Sequence, residues 1–397
     1  MLPPAASAAV AVVSLLAACA TGLWNMRKAA VARAAFLPNP NGTLLPDGSR
    51  WGPFAGAEMT DHAGIFASDA VEVILSGIRW SEGPVWSAAE KALFFVDTID
   101  ARIYRWHARD GSTVVVATEA GGYNGSNVPD FDTLFEPGAN GMALVGDDII
   151  ILQHPTRRLI RMKFAELKRL RGKPLHQATF EVLAQAAPNG RPFNAPNDVI
   201  VAPNGDVFFT DAVYGFLLKQ PAELGYGWLN AEKGEPPDQP YLDEAVRERG
   251  AGETCVYRWR NGSVAVVTNL LARPNGLALS ADGGTLWVAN SVKDTPSWHA
   301  FALREELPLE RTATLDEEQL GTAGVKHGPG ASDGLKIDEA GRLWASVPGG
   351  IAVIDPVARK VLASVSFGTA IANLRFGDGG DVFVTGLGHV WRLKRKV

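Results

Sequence analysis

From residue 71 onward one short pattern of polar and apolar positions recurs along the chain. A polar residue opens an apolar stretch, a Gly/Asp turn follows, and a second stretch is rich in Val, Phe and Trp. The instances are EGPVWSAAEKALFFVD (82–97), NGMALVGDDIIILQH (140–154), NDVIVAPNGDVFFTD (197–211), NGLALSADGGTLWVAN (275–290), DGLKIDEAGRLWASV (333–347) and NLRFGDGGDVFVTG (373–386). Short apolar runs separated by turns such as APNGD, SADGG and DEAGR read as antiparallel strands joined by hairpins. A third strand is predicted soon after, as in ARIYRW (101–106), RLIRMKF (158–164), GIAVIDP (350–356) and HVWRLKR (389–395).

The repeats begin at Glu82, Asn140, Asn197, Asn275, Asp333 and Asn373, at intervals of 58, 57, 78, 58 and 40 residues. A period in this range, with three or four strands per unit, predicts propeller blades. The long interval holds an insertion near 217–248, rich in Pro, Gly and acidic residues and expected on a rim loop. The last repeat lacks a strand, which VEVILSG (71–77) is placed to supply beside 389–395, hiding two sheet edges. The expectation is an all-β, six-bladed β-propeller over 71–397, closed by an N-terminal strand.

Ahead of the repeats, residues 5–20 form an apolar run without charge, followed by Arg27 and Lys28. Residues 1–24 therefore read as a signal peptide or a membrane anchor, and Leu16-Ala17-Ala18-Cys19 also has the look of a bacterial lipobox. Residues 25–70 read as a linker. The expected location is exported or membrane-tethered. The rest of the chain is ordinary for a soluble domain, at 46% hydrophobic and 20% charged residues. A net charge of -5, with basic clusters only at 168–171 and 392–396, speaks against a nucleic-acid partner. The two cysteines, Cys19 and Cys255, offer no zinc spacing.

The residues that open the repeats are Glu, Asn, Asn, Asn, Asp and Asn, with no apolar residue among them. In a propeller these positions ring one end of the central channel. Carboxylates and amide carbonyls in a ring make an all-oxygen donor set, which suits Ca²⁺ and disfavours zinc, with other divalent ions left open. Glu82 and Asp333 would balance a dication, and the amides add donors without charge.

The segments SEGPVW, GANGMAL with HPTRRLIRM, FNAPNDVIVAPNGDVFFTDAVYGF, RPNGLALSADGGTLWVAN and SDGLKIDEAGRLW occur in that order. Together they resemble the senescence marker protein (regucalcin) and gluconolactonase family over 71–395. The resemblance implies a calcium-dependent hydrolase that opens a lactone ring, a sugar lactone such as gluconolactone above all. It implies metal binding by Glu82, Asn197, Asn275 and Asp333, positions shared with the related diisopropyl fluorophosphatase, and a base at Asp333. Where the regucalcin branch has an arginine two residues before the equivalent of Asn197, this chain has Ala195, with Arg191 displaced nearby. The context PNDVIVAPNGDVFFTD is closer to the gluconolactonase branch.

Other polar residues complete the candidate site. His154 is placed to give a proton to a leaving alkoxide, while Asn140, Asn197, Arg157, His327 and Tyr214 are candidates for substrate contact. No GxSxG elbow is present for a serine hydrolase. Two rival readings are a phosphotriesterase of the diisopropyl fluorophosphatase type and a non-catalytic binding propeller stapled by calcium.

Overall fold

A computed structural model of the protein describes residues 52–53, 56–68, 70–128, 131–217, 239–292 and 295–397. The apolar N-terminal run, Cys19, most of the expected linker and residues 218–238 of the insertion lie outside the described residues.

Five hydrogen-bonded sheets make the fold, a β-propeller. The first is seven-stranded, in the order Ile371–Phe376, Asp381–Lys394, Glu72–Ser87, Ala92–Asp97, Arg102–His107 and Thr113–Ala117, with Gly52–Pro53 beside Glu72–Ser87. The second runs outward from Ala139–Val145 through Asp148–Gln153 and Arg158–Lys163 to Glu181–Ala184. The third runs from Pro196–Val201 through Val207–Asp211 and Cys255–Arg260 to Ser263–Thr268. The fourth runs from Pro274–Leu279 through Thr285–Asn290 and Ser297–Ala302 to Arg311–Asp316. The fifth runs from Leu335–Ile337 through Leu343–Val347, Gly350–Asp355 and Lys360–Ser366 to Glu58–Asp61.

The expectation of six separate blades is thus corrected to five sheets. The physical reason is the length of two strands. Glu72–Ser87 and Asp381–Lys394 run for 16 and 14 residues, so the first and last repeats share one ladder. HVWRLKR is the second half of a continuous strand, paired Val390↔Leu75 and Trp391↔Val73. The innermost strands Glu72–Ser87, Ala139–Val145, Pro196–Val201, Pro274–Leu279, Leu335–Ile337 and Ile371–Phe376 contact one another in cyclic order.

Apolar side chains that alternate along these strands meet between neighbouring sheets. Phe94, Ile149 and Ile160 pack together between the first and second sheets, and Leu152, Phe193, Phe209 and Tyr257 between the second and third. Val256, Leu286 and Phe301 lie between the third and fourth, and Trp298, Leu343 and Ile354 between the fourth and fifth. Val365, Trp344 and Trp391 join the fifth sheet to the first. A further cluster packs Phe383 and Val390 against Phe95 and Tyr104, between the two halves of the seven-stranded sheet. Within the stretch expected as linker, Glu58–Asp61 pairs with Lys360–Ser366, and Ile65 and Phe66 are buried. Among the described residues no helix is long and apolar enough to cross a membrane.

Candidate active site in the central channel

The polar residue that opens each repeat stands where the ladder of its inner strand is interrupted. Register shifts fall at 82–85, 139–142, 196–199, 274–277 and 371–373, spanning Glu82, Asn140, Asn197, Asn275 and Asn373. A bulge at the start of a strand re-aims the side chain carried there, here toward the channel axis. Asp333 stands two residues ahead of Leu335–Ile337. The glycine after the ring residue lets adjacent inner strands close up. A Cβ on Gly83 would lie 2.2 Å from the Asn140 carbonyl oxygen, and one on Gly276 would lie 2.4 Å from that of Asp333.

The ends of the second strands hold the backbone that leads into the ring. Asp97 accepts hydrogen bonds from the Arg79 and Trp80 amides, at 2.9 and 3.4 Å. Asp211 accepts from Asn194 and Ala195 at 2.9 and 2.8 Å, and the Asn290 side chain accepts from Arg273 at 2.9 Å. Ser346 Oγ does the same for the Asp333 amide at 2.9 Å.

Within the ring a chain of amides runs from sheet to sheet. Asn140 Nδ2 donates to Asn197 Oδ1 at 2.7 Å, Asn197 Nδ2 donates to Asn275 Oδ1 at 2.5 Å, and Asn275 Nδ2 donates to the Tyr214 hydroxyl at 3.2 Å. On the other side Asn373 Nδ2 donates to Glu82 Oε2 at 3.1 Å, and Glu82 Oε2 also accepts from the Gly83 amide. Glu82, Asn140, Asn197, Asn275 and Asn373 are all buried, and Asp333 is half-buried.

The electrostatics of the ring are set by burial and by repulsion between carboxylates. Burial, then the charge of Asp198, pushes the Glu82 carboxyl up to about 8. Burial also holds the Asp333 carboxyl well above the usual range, followed by repulsion from Glu82, Asp198 and Glu136. Two polar oxygens, Asn140 Oδ1 and Asp333 Oδ1, are buried without a hydrogen-bond partner. Orphaned oxygens beside mutually repelling carboxylates fit an oxygen-loving dication. Among the described residues no three His, Cys, Asp or Glu side chains group closely enough to hold an ion by themselves. A metal here needs the amide oxygens as well as the two carboxylates.

Of the other expected residues, His154 and Tyr214 are brought to the site. His154 is buried with Nδ1 3.3 Å from Glu136 Oε2, and Glu136 lies within electrostatic reach of Asp333. Burial, then the charge of Asp333, raises the Tyr214 hydroxyl well above its ordinary pKa. Arg157 is occupied elsewhere. It donates to the Arg249 carbonyl at the end of the helix Gln239–Arg249, and its guanidinium lies over the Phe216 ring at 4.7 Å. His327 lies against the Pro348–Gly350 hairpin of the fifth sheet, its amide bonded to the Pro348 carbonyl and its ring against Gly350 and near Glu58. None of these neighbours is a ring residue. The fold thus does not bring Arg157 or His327 against the ring residues: the partners of Arg157 lie in the insertion helix and at Phe216, and those of His327 at the Pro348–Gly350 hairpin.

Sequence reasoning missed Glu136, Asp198 and Lys336. Glu136 and Asp198 sit beside ring residues in FEPGAN and PNDV, but no spacing marks them out. Lys336 Nζ donates to Asn373 Oδ1 at 2.9 Å and to the Leu335 carbonyl at 2.8 Å. The insertion helix docks close to the ring, through Arg273 Nη2 to Asp243 Oδ1 at 2.6 Å, and its Ala245 and Val246 pack with Trp80, Phe135 and Val213.

Comparison with known proteins follows this geometry. A family model described as SMP-30/Gluconolactonase/LRE-like region matches residues 80–387. The gluconolactonase of Zymomonas mobilis is 29% identical over 362 residues, 90% of this chain and 88% of that protein. Among solved structures, a gluconolactonase from Xanthomonas campestris is 24% identical and superposes with a TM-score of 0.62, covering 88% of this chain and 96% of that one. A regucalcin from Agrobacterium tumefaciens, described as a calcium-binding protein, is 14% identical with a TM-score of 0.51, covering 84% of this chain and 94% of that one.

Proposed function

The chain belongs to the SMP-30/Gluconolactonase/LRE-like family, and from that premise we propose that it is a metal-dependent hydrolase that opens lactone rings, sugar lactones foremost. The observation that carries the reading is the ring itself. Glu82 and Asp333, from the first and fifth sheets, meet an amide chain from the second, third and fourth, with two oxygens left unbonded. Glu82, Asn197, Asn275 and Asp333 are the proposed holders of a divalent cation, Ca²⁺ in the first place. Such an ion supplies Lewis acidity toward an ester carbonyl when bound.

The remaining work falls to side chains. Asp333, with Oδ1 free, takes the proton of the attacking water. Tyr214, whose hydroxyl accepts from Asn275 Nδ2, orients the lactone hydroxyls at the wall of the site. His154, whose Nδ1 lies 3.3 Å from Glu136 Oε2, hands a proton from its unbonded Nε2 to the departing ring oxygen. A panel of aldonolactones assayed with and without EDTA tests the reading. Hydrolysis should vanish on chelation and return with calcium. No turnover of any lactone in the calcium-loaded protein would leave the binding propeller, and turnover confined to phosphotriesters would move the protein to the rival hydrolase class.

The same reading has residues 71–77 close the ring within the seven-stranded sheet, through the strand Glu72–Ser87, which pairs with Asp381–Lys394 on one side and Ala92–Asp97 on the other. Support comes from the apolar cluster between the two halves of that sheet and from the cyclic order of the six inner strands. We propose export or tethering for residues 1–24, on the strength of the uncharged run at 5–20. Mass spectrometry of natively expressed protein should find the N-terminus processed near Cys19, or the chain in the membrane fraction. An intact N-terminus in the cytosol would sink this part.

A further inference from the structure

Past the ring, the inner strands enclose a cavity of about 390 Å³ along the far half of the channel. Its lining combines apolar residues such as Val199 and Leu277 with three charged ones, Asp198, Lys336 and Arg375. The charges do not cancel. Asp198 is turned toward backbone, with Oδ1 accepting from the Val199 amide at 2.8 Å and Oδ2 from the Leu277 amide at 3.4 Å. Lys336 Nζ is 4.0 Å from Asp198 Oδ2 and spends its hydrogen bonds on Leu335 and Asn373. Arg375 stands two residues beyond Asn373 on the same strand, so alternation sends it to the same channel face. Among the described residues its guanidinium has no hydrogen-bond or ion-pair partner.

A guanidinium carries five N–H donors, keeps its charge, and matches the planar edge of an oxyanion. Burial draws both Arg375 and Lys336 below their ordinary pKa, with Asp198 opposing the effect in each case, so the cavity is a costly place for a second positive charge. Two cations face one carboxylate there, and the nearby ring carboxylates Glu82 and Asp333 are balanced once a dication is bound between them. An anion would relieve the remaining imbalance. Depth matters as well, since the donors of Arg375 face a concave space rather than bulk solvent.

We propose that the far half of the channel is a binding site for a small oxyanion, of the carboxylate, sulfate or phosphate class, seated on the Arg375 guanidinium with Lys336 as the second positive charge. The site adjoins the ring, with which it shares Asn373, and does not depend on the lactone reading.

Calorimetric titration of the full-length protein as purified, in chloride-free buffer, tests it with sodium sulfate as the probe. One saturable site is expected. Arg375→Met should weaken it at least about tenfold, the scale of one charge-assisted hydrogen bond, and Arg375→Lys should fall between. A parallel titration with sodium acetate separates the carboxylate class from tetrahedral oxyanions. No saturable uptake of either probe, or equal binding by Arg375→Met, overturns the assignment. Should that variant not fold, crystals of the unaltered protein soaked in selenate, a sulfate-shaped oxyanion with an anomalous scatterer, decide. An anomalous peak beside the guanidinium is expected, and its absence overturns the site.

Discussion

Asp333 and Glu82 bring the same charge to the ring under different constraints. Glu82 is buried, and its Oε2 already accepts from Gly83 and Asn373. Asp333 is half-buried, its backbone pinned by Ser346 while Oδ1 stays unbonded. The two donors on Oε2 fix the Glu82 carboxylate in place as a ligand, whereas the Asp333 side chain is held by no hydrogen bond at Oδ1 and can exchange a proton there. Asp333→Asn is therefore expected to depress lactone turnover by roughly 10²–10⁴-fold, the usual contribution of a general base, with little recovery at high calcium. Glu82→Gln should lose metal affinity and regain much of its rate when calcium saturates. Rate against calcium concentration for both variants is the measurement. Equal rescue of the two would reduce Asp333 to a ligand and pass the base role to His154. The six ring positions were legible in sequence because each opens a repeat and none is apolar. Glu136, Asp198 and Lys336 were not, since their neighbours come from other repeats and only the fold brings those charges together. For Arg157 and His327 the sequence showed a cation and an imidazole beside motifs, but not the partners that the fold gives them, the Arg249 carbonyl and the Gly350 hairpin.

At the scale of elements, the paired strands and their hairpins could be read from alternation and turn residues, while the sharing of one ladder by two repeats could not. The segment TGLGHVW carries a turn signal, yet Gly388, at φ 81°, is absorbed as a register shift between Leu387 and His389 and the strand continues. A second element-level feature is the acid at the end of a second strand. Asp211 is buried, and burial pushes its carboxyl up to about 7 against the pull of the Asn194 and Ala195 amides and of Arg157. The folded pKa thus lies above the ordinary value of 3.8. Between those two values the folded state holds a proton that the unfolded chain releases. By linkage, this residue's contribution to stability falls as pH rises through that window and is level above it. Asp97, pushed up to about 6, acts in the same direction over a narrower range. In Asp211→Asn the titration is gone, while one of the two amides loses its acceptor, at a cost of about 1–3 kcal/mol. Urea unfolding of both proteins across this window is expected to show the deficit of the variant shrinking as pH rises. A deficit that stays constant would mean that Asp211 does not titrate in the folded protein.

For the whole molecule, the ring gathers residues that are far apart in the chain. Glu82 comes from the first sheet, Asn197 from the third, Asn275 from the fourth and Asp333 from the fifth. An ion held by all four ties four sheets at one point, and it does so only in the folded state. The sequence revealed this convergence but not how far the fold reaches toward the N-terminus, because EMTD (58–61) has no partner until it meets Lys360–Ser366. Metal-free, the ring holds two carboxylates that repel each other and two unbonded oxygens, a state that a dication relieves. Binding to the folded state alone stabilises by about 2.7 kcal/mol when free ligand is 100 times Kd. For a chain of this size that corresponds to a rise in melting temperature of several degrees. Calcium added to chelated protein should produce this rise, and Glu82→Gln should need more calcium to reach it. Sodium chloride at equal ionic strength should not substitute, since the buried pair is poorly screened by salt. If chelation leaves the melting temperature and the lactonase rate unchanged, the amide chain alone holds the ring and the metal reading fails. If the melting temperature falls while no lactone is ever turned over, the ion is a staple, and Asp333 is one of its legs rather than a base.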